Sequence, residues 1–239
     1  MKIKALVASG LLLIGAFAGS LSAAPLAGTF NIDGVITVTV NEQLFESNLS
    51  VANQAAITGG ASAPTGSFAG LAGTDVTISN LDRVMQPVNT PFPELDFISF
   101  LAAPSLSHLN LNFINLGLFG SAQCFAPPAA GQLCTPSVPG GSPFSFINTS
   151  ANTSTASWAM RGVSADHLSV WRGVFTSQFT TPYQSVLGSF IGNGSVTSSY
   201  SASFIVVPNE SVPEPNTTVL LGGGLILLAL GLRRLKSVA

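Results

Sequence analysis

The stretch "NIDGVITVTV", residues 31–40, alternates apolar and polar side chains along its length. Because successive side chains of a strand point to opposite faces of a sheet, this alternation predicts a strand with one buried face and one face in water. The predicted buried face carries Ile32, Ile36, Val38 and Val40, and the opposite face carries Asp33, Thr37 and Thr39.

Three other stretches repeat this alternation: "HLNLNFINL" at 108–116, "STASWAM" at 154–160 and "YSASFIVV" at 200–207. Strands with one wet face are typical of antiparallel sheets, since strands of parallel sheets are usually covered on both faces. The apolar positions of these stretches are Leu109, Leu111, Phe113, Ala156, Trp158, Met160, Tyr200, Ala202, Phe204 and Val206. Further strands are predicted at 75–81, 94–100, 144–149 and 171–179.

One segment departs from the alternation. In "TPYQSVLGSFIG", residues 181–192, Thr181 stands at an N-cap position, Pro182 at the first helical position and Gly192 after the predicted end. This order predicts a short helix. About ten short strands and one helix predict an all-β fold for residues 24–211, either an antiparallel β-sandwich or a jelly-roll-like domain.

The first 23 residues have the layout of a secretory signal peptide. Lys2 and Lys4 precede an apolar run, which ends in the small residues Ser22, Ala23 and Ala24. Cleavage by signal peptidase is expected after Ala23. We therefore expect the secretion machinery to export the chain.

The body between the terminal segments, residues 24–211, is poor in positive charge. It contains three arginines, Arg83, Arg161 and Arg172, against nine acidic residues. Such a surface gains little affinity by releasing counterions from a phosphate backbone. Nucleic acid is therefore not an expected partner.

The two cysteines, Cys124 and Cys134, bracket a loop that contains two prolines and a glycine. In an oxidising compartment such an isolated pair predicts a disulfide, which would contribute on the order of 2 to 3 kcal/mol. A zinc site is the weaker interpretation, because zinc cysteines usually lie two to four residues apart and His108 and His167 have no ligand spacing to them. We expect no metal and no cofactor.

Two groups of residues give faint catalytic signals. Asp166 and His167 are adjacent, and serines are abundant, but a triad is recognised by geometry that this spacing does not supply. We favour a loop histidine near a turn aspartate. Glu94 and Asp96 lie on one face of a predicted strand and would suit a glycosidase or a calcium site. We favour a polar strand face and expect no catalytic residue.

Trp158 and Trp171 are residue types that stack on sugars. Trp158 falls in the apolar register of its strand, which favours core packing. A carbohydrate-binding or carbohydrate-active module that uses Glu94 or Asp96 is an alternative function for the body. It would require an exposed aromatic side chain beside those carboxylates.

The tail "VPEPNTTVLLGGGLILLALGLRRLKSVA", residues 212–239, combines an apolar run with a basic cluster. Residues 217–232 would form about 24 Å of helix, somewhat less than the roughly 30 Å hydrocarbon core of a bilayer. Thinning of the bilayer and snorkelling basic side chains would meet the difference. The basic stop at Arg233, Arg234 and Lys236 predicts that the last residues stay in the cytoplasm and the body faces out.

The order of "VPEP", a glycine-rich apolar helix and "RRLK" resembles the PEP-CTERM sorting signal of exported bacterial proteins. The sorting motif would be Val212, Pro213, Glu214 and Pro215. The resemblance implies a Gram-negative host that makes exopolysaccharide, and cleavage of an inner-membrane-tethered precursor by an exosortase. We therefore expect a non-enzymatic protein of the cell surface or extracellular matrix, with exopolysaccharide as a potential partner. A permanently anchored single-span membrane protein is the other alternative.

Overall fold

The computed structural model describes residues 24–46, 54–58 and 63–209. One helix, α1 (Tyr183–Asn193), precedes the last strand, and a short 3-10 helix covers Gly66–Phe68. Strands make up 47% of the structure, so the all-β prediction is confirmed. The strands are β1 (Gly28–Thr39), β2 (Glu42–Glu46), β3 (Gln54–Ile57), β4 (Asp75–Ile78), β5 (Leu81–Asp82), β6 (Leu95–Phe100), β7 (Leu109–Ile114), β8 (Leu133–Cys134), β9 (Ser145–Asn148), β10 (Ser154–Ser164), β11 (Ser169–Phe179) and β12 (Ser195–Pro208).

Eight of these strands form a closed antiparallel barrel. The order around the barrel is β10, β11, β12, β1, β3, β4, β6 and β7, and β7 pairs again with β10. Outside this ring, β2 pairs with β1 and with β5, and β9 joins β8 to β10. The predicted sandwich or jelly roll is therefore wrong, because one sheet closes on itself instead of packing against a second sheet.

Closure depends on local departures from regular strand structure. The register between β10 and β7 shifts between Arg161 and Gly162, and such a bulge bends a strand and increases its twist. A Cβ atom at Gly162 would collide with the Asn110 carbonyl oxygen, and one at Gly173 would lie 2.6 Å from the Phe204 ring. Glycine at these positions lets the wall curve over closely packed neighbours. Since a sandwich and a barrel share the same apolar alternation, that pattern alone does not distinguish them.

The interior of the barrel is filled by the side chains that the alternation assigns to buried faces. Phe175 of β11 is at the centre and lies against the rings of five other aromatic residues. These contacts form one continuous hydrophobic core. The predicted inward residues that are buried are Ile32, Ile36, Leu109, Leu111, Ala156, Trp158, Met160, Tyr200, Ala202, Phe204 and Val206.

Two predicted inward residues, Val40 and Phe113, are not buried in the core. Val40 follows the end of β1 and is 56% exposed. Phe113 is only half-buried, and the guanidinium of the exposed Arg161 lies 4.1 Å from the centre of its ring. The register shift between β7 and β10 moves Ile114 into the core instead. Because a single inserted residue reverses the face of every later side chain, the alternation failed at this position.

The predicted helix exists, with different ends. Pro182, not Thr181, occupies the N-cap position, and the helix continues past Gly192 to Asn193. Gly194 ends it with a left-handed φ of 75°, and its N–H donates to the Phe190 carbonyl. The free N–H of Tyr183 at the start donates to Asn148 Oδ1 on β9, at 3.0 Å. The Asn148 side chain of β9 therefore takes the place of the local Thr181 cap that the sequence predicted.

The predictions for the two termini fall on residues outside those described. They are the signal peptide at 1–23, the sorting motif Val212, Pro213, Glu214 and Pro215, the helix at 217–232, and the basic stop Arg233, Arg234 and Lys236. Within the described ranges, no helix has the length and apolar character needed to cross a membrane.

Candidate functional site

A cavity of about 650 Å³ opens at the end of the barrel that α1 covers. We call it the α1 pocket. The strands that reach it are the carboxyl ends of β1, β7 and β11 and the amino ends of β10 and β12, which meet at one end because the barrel is antiparallel. Its mostly apolar lining includes Ile36, Val38, Val88, Ile114, Phe144, Phe146, Ala156, Trp158, Val186, Leu187, Phe190 and Val196.

The amphipathic character of α1 makes it one wall of the pocket. Val186 and Leu187 are buried against the barrel end, and they pack with Tyr183, Phe146 and the two cysteines in a small second core. Phe190 and Ile191, one turn later, also line the pocket, and Ile191 remains exposed. The same apolar face that fixes the helix on the barrel therefore extends into the pocket.

Another wall of the pocket is a loop region held by a disulfide and by Arg83. Cys124 and Cys134 are bonded, which confirms the predicted disulfide. The Tyr183 hydroxyl donates to the Gln123 carbonyl at 3.0 Å, so this loop is also tied to α1. The guanidinium of Arg83 donates to the carbonyls of Pro139 and Gly141, which line the pocket beside it.

Three polar atoms are buried in side chains that line the α1 pocket. They are Trp158 Nε1, Ser177 Oγ and Gln43 Oε1, and none has a hydrogen-bond partner among the described residues. Trp158 and Ser177 are each 3% exposed. A buried donor or acceptor without a partner costs about 1 to 3 kcal/mol. These atoms are closed off from solvent, so they lie within the wall and are not exposed to the cavity.

Charged residues line the pocket only where they are exposed or half-buried. They are Glu42, Asp82 and Arg83. Asp82 Oδ1 accepts the N–H groups of Val84 and Met85, at 2.7 and 3.1 Å. The Arg83 guanidinium is hydrogen-bonded to loop carbonyls and the Asp82 carboxylate to backbone N–H groups. Both charged groups therefore serve the surrounding loop as well as lining the cavity. No charged side chain lies among the buried lining of the described residues.

The predicted carboxylates and both histidines meet elsewhere, on the outside of the barrel. His108 Nδ1 lies 3.1 Å from Asp96 Oδ2, and His167 Nδ1 lies 3.5 Å from Glu94 Oε1. Asn110 also donates to Glu94, at 2.9 Å. All four titratable side chains are at least one-third exposed, and none lines the α1 pocket. Each of the two contacts joins a carboxylate to an imidazole on the surface of the barrel.

Asp166 and His167 do not form a catalytic triad with the nearest serine. Ser164 Oγ donates directly to Asp166 Oδ1 at 2.5 Å, and Asp166 Oδ1 also accepts the N–H of Leu168. A triad places the histidine between the serine and the carboxylate, whereas His167 lies against Glu94. His167 is in a turn with a positive φ of 58°. The interpretation as a loop histidine near a turn aspartate is confirmed.

Other candidate ligand groups are dispersed. Across residues 24–46, 54–58 and 63–209, no three His, Cys, Asp or Glu side chains converge where they could hold a metal ion. Trp158 and Trp171 are both buried, at 3% and 1% exposed. The prediction that Trp158 packs in the core is confirmed, although one edge of it reaches the α1 pocket.

The pocket was missed at the sequence level. Its lining comes from strands, loops and a helix that are far apart in the chain. β11 buries Ser169 and Ser177 in the same register as Trp171, Gly173 and Phe175. A serine at a buried position of this strand therefore does not by itself mark the pocket.

Comparisons of the chain with protein-family models, with curated proteins and with solved structures return no match. The functional argument therefore rests on the residues and geometry described above.

Proposed function

We propose that the chain is an exported, non-enzymatic protein of the cell surface or extracellular matrix, and that an exosortase sorts it and cleaves it near Val212–Pro215. The observation that carries this proposal is the order of features at residues 212–239: Pro-Glu-Pro, an apolar run and a basic stop. Two prolines favour an extended segment. Such a segment just outside the membrane would be accessible to a peptidase.

The body has properties that suit this route. Its disulfide, between Cys124 and Cys134, is of the kind that persists in oxidising compartments. The closed barrel leaves no free edge among its eight ring strands, and unpaired edges are the usual sites of aggregation. A domain of this kind is suited to remain folded outside the cell, where chaperone assistance is limited.

The non-enzymatic part of the proposal is supported by where the candidate catalytic residues lie. Glu94 and Asp96 are engaged by histidines on an exposed surface, and Asp166 stabilises a turn. The carbohydrate alternative required an aromatic side chain beside the carboxylates. Trp158 and Trp171 are both buried in the barrel, so no observation now favours that alternative over the proposal.

The test is the intact mass of the protein recovered from its native host, in membrane, surface and culture fractions. We expect a product that lacks residues 1–23 and everything after the Pro-Glu-Pro region. The variant Glu214→Gln should retain the C-terminal segment in the membrane fraction, whereas the matched control Glu210→Gln, just outside the motif, should be processed normally. Wild-type protein that keeps residues 216–239 in the membrane would instead establish a permanent single-span anchor.

A further inference from the structure

We propose that the α1 pocket binds one uncharged, mostly apolar small molecule. The inference concerns the barrel alone and does not depend on processing by an exosortase. It rests on the pocket's size, its apolar lining and the position of its charged lining residues, which are all exposed or half-buried.

The size of the cavity suits a small organic molecule. Ligand pockets usually have volumes of roughly 300 to 1,000 Å³, and the α1 pocket, at about 650 Å³, is within this range. A dry apolar cavity of about 150 Å³ is enough to bind benzene. By proportion, the α1 pocket would hold on the order of 20 non-hydrogen atoms. Eight-stranded barrels are also just wide enough to hold one small ligand.

The charge of the ligand follows from what the buried wall lacks. The charged lining residues Glu42, Asp82 and Arg83 are all exposed or half-buried, and two of them carry negative charge. An ionised carboxylate placed against the buried apolar lining would lose its hydration without a buried cation to replace it. The pocket therefore favours an alcohol or a carbonyl compound over the corresponding carboxylate.

The occupant is mostly apolar, like the lining. Phe144 lies edge-on to Trp158 with ring centres 5.3 Å apart, and both line the pocket. Phe125, Val138 and Ile191 also line the pocket and are exposed. A hydrocarbon chain or ring would remove the exposed part of this lining from water, which stabilises a complex by about 25 cal/mol per Å² of buried apolar area.

The test uses the body of residues 24–211, because the barrel, its core and its disulfide lie within the compact unit Pro25–Val212. The fluorescent, uncharged probe N-phenylnaphthylamine is titrated first and then displaced with dodecanol or dodecanoate at about pH 8, where the carboxylate is ionised. We expect saturable binding of the probe at one site per chain. Dodecanol should displace it at least about tenfold more effectively than dodecanoate.

Two variants locate the site. Val38→Phe fills part of the half-buried pocket wall and should abolish or greatly weaken probe binding. Val174→Phe makes the same change on the exposed outer face of β11 and should have no effect. Circular dichroism establishes that each variant is folded.

Several results would overturn the proposal. Absence of saturable probe binding by folded wild-type protein would show that the pocket does not accept such a molecule. Equal binding by Val38→Phe would place the probe at another site. Equal displacement by dodecanoate would contradict an uncharged ligand.

Discussion

Reduction of the Cys124–Cys134 disulfide should lower the stability of the body by an amount that its loop length sets. The two residues are 10 positions apart. The chain-entropy relation for such a loop gives about 2.7 kcal/mol at 25 °C, because the reduced unfolded chain gains conformational freedom. For a domain of this size, roughly 2 to 4 °C are lost per kcal/mol. We therefore expect the Tm to fall by about 5 to 11 °C.

The assay is guanidinium unfolding of residues 24–211 followed by tryptophan fluorescence, with and without dithiothreitol. The reductant should shift the midpoint of the wild-type protein and have no effect on the Cys124→Ala/Cys134→Ala variant, which is the control. The variant should be at least as unstable as the reduced protein, because both cysteines are buried. A loss below about 1 kcal/mol on reduction would refute the reasoning. It would mean that the loop is equally restricted in the unfolded chain without the bond.

Two further predictions concern the barrel interior. Phe175→Ala should lower the free energy of unfolding in urea by about 3 to 5 kcal/mol, because the ring is fully buried among five others. Val174→Ala, which changes the neighbouring outward side chain, should lower it by less than about 1 kcal/mol. Equal losses in the two variants would contradict the assigned inward and outward faces. Burial and the nearby negative charge of Asp33 raise the pKa of Tyr200, so the phenol stays protonated in the folded barrel while the unfolded chain ionises above about pH 10. Stability should therefore fall as the pH rises above that value, and Tyr200→Phe should remove part of the fall with little cost at neutral pH, since the buried hydroxyl has no hydrogen-bond partner among the described residues. Parallel pH profiles of the two proteins would contradict this assignment.

Much of the barrel wall was predictable because strand alternation is a local property. The inward faces of β1, β10 and β12 follow directly from the apolar positions at 31–40, 154–160 and 200–207. The disulfide was also predictable, since the chain has only one pair of cysteines. These predictions needed no knowledge of which strands are neighbours.

Closure into a barrel was not predictable in this way. It depends on β10 pairing with both β7 and β11, and these partners are distant from one another in the sequence. It also depends on the bulge beside Gly162, which reverses the expected face of Phe113. An alternating sequence specifies the two faces of a strand but not the number of strands around a ring. Local sequence patterns therefore do not distinguish a sandwich from a barrel.

The α1 pocket depends on both kinds of information. Its walls come from elements far apart in the chain, so the cavity itself follows only from closure of the ring and from the seat of α1 on one end. Its apolar character, by contrast, follows from local sequence, because Ile36, Val38, Ala156 and Trp158 occupy apolar positions of the alternating stretches at 31–40 and 154–160. The alternation therefore predicts which side chains face the interior at this end of the barrel. Closure of the ring and the position of α1 determine that these side chains enclose a cavity.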